Sequence, residues 1–214
     1  MIYDITPEID EKIAVWPGDL KFSRIIKMDT AQGDHLSLSG ITTTLHLGAH
    51  ADAPSHYLPF GQSIEKRCLE YYLGSCQVIR LCALQKPFVI LPKHLHDIPM
   101  KAPRLLFSTG TFSDTKNWNN EFAYFSDETV VWLHQQGVKL VGIDTPSVDA
   151  FDSKFLSAHK RIAQFDMAIL EGLDLSAVPE GLYELIALPL KLAGAEASPV
   201  RAILRTTSED IKPN

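Results

Sequence analysis

The chain has 214 residues, 45% of them hydrophobic, which suits one domain (1–214) around a full core. A net charge of −6 offers no basic field for nucleic acid, and no run of 18 apolar residues supplies a membrane span. Cys68, Cys76 and Cys82 are odd in number and lack CxxC spacing, so buried or inert thiols in a reducing compartment are expected. The first residues lack the charged and apolar regions of a signal peptide, which adds to the expectation of a cytoplasmic protein.

Residues 1–5 form a strand candidate, followed by a loop punctuated by Pro7, Pro17 and Gly18. Trp16 sits at that turn, where its ring serves either as core packing or as the wall of an aromatic pocket. Residues 22–28 and 37–45 read as strands around the polar loop DTAQGD.

Residues 46–56 read HLGAHADAPSH and hold three of the eight histidines, His46, His50 and His56, with Asp52 among them. A helix would stack His46 and His50 at i, i+4, but Gly48 weakens a helix there and Pro54 clashes with the preceding turn. Thr42, Thr43 and Thr44 favour a strand instead. In extended chain positions 46, 50, 52 and 56 share one face until the Pro turn bends it. A strand end would then deliver two imidazoles and a carboxylate into a pocket. Scattered polar residues on a solvated strand are the bland alternative. Three imidazoles and a carboxylate at this spacing point to a divalent ion such as zinc.

Further along, residues 63–72 read as a short helix with Ser63 as N-cap, and 76–82 as an apolar strand interrupted by Arg80. The proline-rich stretch 87–103 carries His94 and His96, read as surface histidines beside Lys93. Residues 104–108 form a strand. The loop 109–122 that follows is long enough to be functional or mobile, and its Phe112, Trp118 and Phe122 could cap a pocket or pin the loop. Ser126 caps a helix running to about Gly137, with Gly137 as its C′ residue, and 139–143 is a buried strand. Asp144 at that strand's end is either turn chemistry or a pocket residue. A helix over 153–165 carries His159, and the strand 167–170 ends in Glu171 and Gly172. Residues 183–190 and 202–205 close the chain as strands. About eight strands and three helices imply a mixed α/β domain with a curved or barrel-like sheet.

The motif HLGAHADAPSHY resembles H-x-G-[T/A]-H-x-D-x-P-x-H, the signature of the cyclase family of metal-dependent hydrolases, in its bacterial kynurenine formamidase branch. VWPGD, GIDTPSVD and the C-terminal ILEGLDL and YELIALPLKLAGAEASPVRAILR extend the resemblance over almost the whole chain. It implies a swivelling β/β/α fold with a few flanking helices and a homodimer. It also implies His46, His50, Asp52, His159 and Glu171 as metal ligands, His56 as the catalytic histidine, and Trp16 at the substrate pocket. Five ligands exceed what one catalytic zinc takes from protein, so two ions sharing carboxylates are expected. The implied reaction is arylformamidase hydrolysis of N-formylkynurenine to kynurenine and formate, with His56 passing a proton to the departing aryl amine. No G-x-S-x-G elbow is present to suggest a serine nucleophile. The alternatives are another amide hydrolase of the family, such as one acting on isatin, or a metal-carrying protein without turnover. Ala49, where many family members carry Thr, departs from the pattern without leaving that branch.

Overall fold

The structure is a computed structural model and describes residues 1–81 and 84–206. Its strands are β1 (Ile2–Asp4), β2 (Ser23–Met28), β3 (Leu38–Thr42), β4 (His50–Asp52), β5 (Leu73–Arg80), β6 (Val89–Ile90), β7 (Arg104–Ser108) and β8 (Tyr124–Phe125). Helix α1 (Asp127–Gln135), β9 (Leu140–Ile143), α2 (Ser157–Gln164), β10 (Ala168–Glu171), β11 (Gly181–Ile186), β12 (Ala197–Pro199) and β13 (Ile203–Thr206) follow. Nine strands make one mixed sheet in the order β1-β13-β11-β5-β7-β9-β10-β4-β12. Its centre, β5-β7-β9-β10, is parallel, and the remaining pairings are antiparallel.

The parallel strands β7, β9 and β10 are buried along their whole length and apolar at their centres, as a sheet covered on both faces requires. One face packs Ile79, Leu105, Phe107, Val141 and Ile169 beneath Val130 and Leu133 of α1 and Ala158 and Ile162 of α2. On the other face, Ala51 and Leu170 share a core with Tyr183, Leu185 and Leu204. Those two groups come from opposite ends of the strand order, so the sheet curls over its own second core. The expectation of a mixed α/β fold with a curved sheet is met. No helix among the described residues is long and apolar enough to cross a membrane.

Several expected elements differ. Residues 63–72 fold as two 3-10 turns, Ile64–Lys66 and Leu69–Tyr72, rather than a helix, and Ser63 makes no capping hydrogen bond. Arg67 between them instead donates to Asp166 and to the Met167 carbonyl, a tertiary tie that propensity cannot show. The helix expected over 153–165 begins only at Ser157, because Leu156 takes a left-handed conformation. The strand expected over 37–45 stops at Thr42, and that expected over 183–190 stops at Ile186. The two-residue strands β6 and β8 and the short β12 went unpredicted, so thirteen strands and two α-helices among the described residues replace about eight and three. Cys68 is a free, exposed thiol and Cys76 a free, buried one, and Cys82 lies outside the described residues. His94 is half-buried, its Nδ1 accepting from Leu91 N, while His96 lies exposed against Trp132.

Candidate active site

Strand β4 is the shortest route to the site. His50 lies opposite Glu171 in the β4–β10 register, and Asp52 lies opposite Ile169. Cross-strand partners share a face, so His50, Asp52 and Glu171 all point toward the helix side of the sheet, where Ile169 packs. Helix α2 covers that side and brings His159 down onto the same point. His46 does not come from the strand as expected. The chain bends at Gly48, whose φ is +55°, and the bend swings His46 back over β4. Gly172 follows Glu171 with φ +65°, and a Cβ there would stand 2.1 Å from the Gly48 carbonyl oxygen. Only glycine permits this close approach, which seats the His46 bend against the end of β10.

Asp52 is the hub of the cluster. Its Oδ1 is 3.0 Å from His46 Nδ1 and 3.5 Å from His50 Nε2, and its Oδ2 is 3.4 Å from His159 Nε2. Glu171 repeats the pattern, with Oε2 3.2 Å from His50 Nε2 and Oε1 3.5 Å from His159 Nε2. Each carboxylate therefore spans from the His50 side to the His159 side. His56, beyond the Pro54 turn, brings Nε2 to 4.0 Å from Asp52 Oδ2 and its ring to 4.2 Å from that of His46. The six residues named as metal ligands or catalytic histidine are thus brought together.

The outer partners fix how these groups are presented. His50 Nδ1 sits 2.8 Å from the Gly48 carbonyl, so it carries the proton and leaves the Nε2 lone pair facing the cluster. His159 Nδ1 is likewise committed, at 2.7 Å from Asp149 Oδ2. Val148 N donates to Glu171 Oε1. Meanwhile His50 Nε2, His159 Nε2 and both Asp52 oxygens are buried without a hydrogen-bond partner. Buried polar atoms are rarely left so. Four of them converging on one point, all of types that bind divalent ions, fit a metal cofactor. The donor atoms of His50, Asp52 and Glu171 lie within 4.8 Å of one another, as do those of His46, Asp52 and His56.

In the metal-free chain, burial opposes charge on His50, but the adjacent carboxylates of Glu171 and Asp52 outweigh it, lifting the pKa to about 9. The same contest at His159, with Asp149 as the strongest aid, ends at about 10. Burial would raise Asp52, yet His46, His159 and His50 hold it well below the usual carboxylate range. His56 moves the other way: burial pushes its pKa down, favouring neutral imidazole.

The cluster opens on a cavity of about 420 Å³ that His46 and His50 line at one end. Trp16, Phe112 and Trp118 wall it. Trp16 packs at 5.1 Å from Trp118 and 5.0 Å from Phe151, so the ring is both pocket wall and part of an aromatic cluster. The loop 109–122 does both jobs considered for it: Phe112 and Trp118 face the cavity while buried Phe122 anchors it. Asp144 also lines the cavity, and its carboxylate accepts from Thr109 N, Thr109 Oγ1 and Gly110 N, pinning the start of that loop.

Asp149 is the residue sequence reasoning missed. It accepts from Ala158 N and His159 N, capping α2 in place of the left-handed Leu156, and also orients the His159 ring. Its signal was an aspartate a few residues ahead of a helix that carries a candidate ligand.

A curled mixed sheet holding a buried histidine–carboxylate cluster, open to one cavity, is the arrangement of a metal-dependent hydrolase. The Cyclase family model, described as "Putative cyclase", matches residues 3–150, and the chain belongs to that family. The kynurenine formamidase of Bordetella pertussis is 42% identical over 205 residues, covering 95% of this chain and 97% of that protein. A solved structure described as a potential metal-dependent hydrolase with cyclase activity matches with a TM-score of 0.82 at 26% identity, over 95% of this chain and 96% of the other. Isatin hydrolase A of Labrenzia aggregata, bound to benzyl benzoate, gives a TM-score of 0.80 over 97% and 94% of the two chains. At 23% identity it shares the fold alone.

Proposed function

We propose that the chain is an arylformamidase that hydrolyses N-formyl-L-kynurenine to L-kynurenine and formate, the kynurenine-pathway step of tryptophan breakdown. The observation that carries this reading is the set of partnerless buried donors at the end of an aromatic-walled cavity. An aryl formamide offers a flat ring for the walls and a small acyl carbon for the cluster. The relatedness to a kynurenine formamidase at 42% identity over nearly the whole chain supports the same substrate.

In this reading His46, His50, Asp52, His159 and Glu171 would hold two zinc ions. Asp52 and Glu171, which each face both His50 and His159, would be the carboxylates placed to serve both ions. Bound zinc activates water and polarises the formyl carbonyl. The protein's part is placement and proton transfer. Trp16 and Trp118 hold the aryl ring and exclude water from its faces. His56, kept neutral by burial, takes a proton as water adds to the formyl carbon. It returns that proton to the aryl nitrogen as the C–N bond breaks, since an anilide anion leaves poorly.

The proposal covers residues 1–214 as one catalytic domain, a cytoplasmic location in keeping with the free thiols of Cys68 and Cys76, and a homodimer. For the dimer, β2 and β3 form a separate two-stranded ribbon with Ile25, Ile26, Leu38 and Ile41 exposed on it. A lone ribbon is marginal in water, and a second copy would cover these side chains. Incubating purified protein with N-formylkynurenine and, separately, isatin tests the activity. Release of kynurenine and formate from the first is expected. Preferred opening of isatin, or turnover of neither, would overturn the reading.

A further inference from the structure

The parallel strands β5, β7, β9 and β10 all end at one edge of the sheet, and the cavity lies beyond that edge, where open α/β sheets bind ligands. Glu171 ends β10 at the cluster, and Arg80 ends β5 at the far side. Among the residues lining the cavity, Arg80 is the one lysine or arginine. Its Nη2 donates to the carbonyls of Leu175, Ser176 and Val178, so the turn after β10 grips the head group from one side. The other three of its five N–H donors, on Nε and Nη1, have no protein acceptor among the described residues. Nor does any carboxylate there pair with it: Glu180 accepts from the Arg80 backbone N, and Asp174 accepts from Ser176. Ser108, the register partner of Arg80 on β7, lines the same stretch of wall.

A half-buried guanidinium with a fixed head group, free donors and no counter-ion is built to receive an oxyanion. We propose that Arg80 is the recognition site for the α-carboxylate of the substrate, so that the cavity selects aryl formamides carrying an amino-acid side arm. This inference rests on the arylformamidase reading and names what the far end of the same cavity reads. The dimensions agree. Three strand spacings, roughly 14 Å, separate the β5 and β10 rows. The formyl carbon and carboxylate of formylkynurenine lie about 8 Å apart by bond lengths. The arginine stem and the ligand side chains fill the difference.

The test compares N-formylkynurenine with 2′-formamidoacetophenone, which keeps the formamide, ring and ketone and lacks the amino acid. In wild type, kcat/KM should favour formylkynurenine by about 10²-fold, the scale of a buried charge-assisted pair. Arg80→Gln keeps an amide N–H for the turn carbonyls but loses the charge. It should cut that ratio at least tenfold, through KM for formylkynurenine. Arg80→Lys, which keeps the charge without the fork, should give an intermediate ratio and serves alone if the glutamine variant fails to fold. An equal fall on both substrates would make Arg80 only the clamp of the 175–178 turn and overturn the inference, as would an unchanged ratio. Failure of wild type to hydrolyse either formamide would instead overturn the arylformamidase reading beneath it.

Discussion

Replacing Asp149 by asparagine isolates the contact that orients His159. The carboxylate is 4% exposed and accepts three hydrogen bonds, from Ala158 N and His159 N at 3.0 Å each and from His159 Nδ1 at 2.7 Å. Asparagine offers one oxygen in place of two. If that oxygen takes the Oδ1 place and keeps the bond from Ala158 N, the amide nitrogen takes the Oδ2 place and meets both His159 N and the His159 Nδ1 proton, donor against donor. Two hydrogen bonds are then lost, and the charge-assisted one to the His159 ring, the one that orients the ligand, is about 1.5–3 kcal/mol. Converted at about 1.4 kcal/mol per factor of ten, this is roughly 10- to 150-fold. That range matches the 10- to 100-fold loss of metal affinity usual when a ligand histidine's outer partner is removed. Competition titration with a chromophoric chelator reads the affinity, and circular dichroism checks that the variant is folded. Zinc affinity of a folded Asp149→Asn variant within about twofold of wild type would refute the reasoning.

Gly172→Ala should lower stability by about 2 kcal/mol or more in urea titration, since φ is +65° and the new Cβ meets the Gly48 carbonyl at 2.1 Å; a change under about 0.5 kcal/mol would contradict the close approach. For metal-free protein, His50 and His159 have folded pKa values of about 9 and about 10, above the unfolded value of 6.5. Their contribution is fully present below pH 6.5 and is lost as pH rises toward 10, so the melting temperature of chelator-treated protein should fall over that window, and a flat profile would count against the cluster. Trp16→Ala should raise KM more than it lowers kcat, because a ring wall contributes mainly uniform binding; unchanged kinetics would leave that ring as packing alone.

The cluster was legible because four of its six members lie within eleven residues and share a chemistry that solvated strands rarely concentrate. His159 and Glu171 were not legible in that way. Each stands alone on its own helix or strand, and only the resemblance singled them out before the β4–β10 register put Glu171 opposite His50. Parity along the strand placed His50 and Asp52 correctly and misplaced His46, because a glycine bend rather than alternation returns it to the site. Arg80 read as an interruption of an apolar strand. Its meaning depends on the turn at 175–178, nearly a hundred residues away, and local pattern carries no such information. The 63–72 segment was misread for the same reason, its turns being set by Arg67 reaching Asp166.

The division of labour between five ligands and one proton carrier is tested most directly by measuring metal content and single-turnover rate on the same samples of wild type and His56→Ala. Both proteins should carry about two zinc equivalents per chain, the number a pair of shared carboxylates serves. The variant's rate on N-formylkynurenine should fall by roughly 10²–10⁴, the range for losing a general acid–base group. Loss of metal in step with activity would make His56 a ligand, and an undiminished rate would remove it from the chemistry.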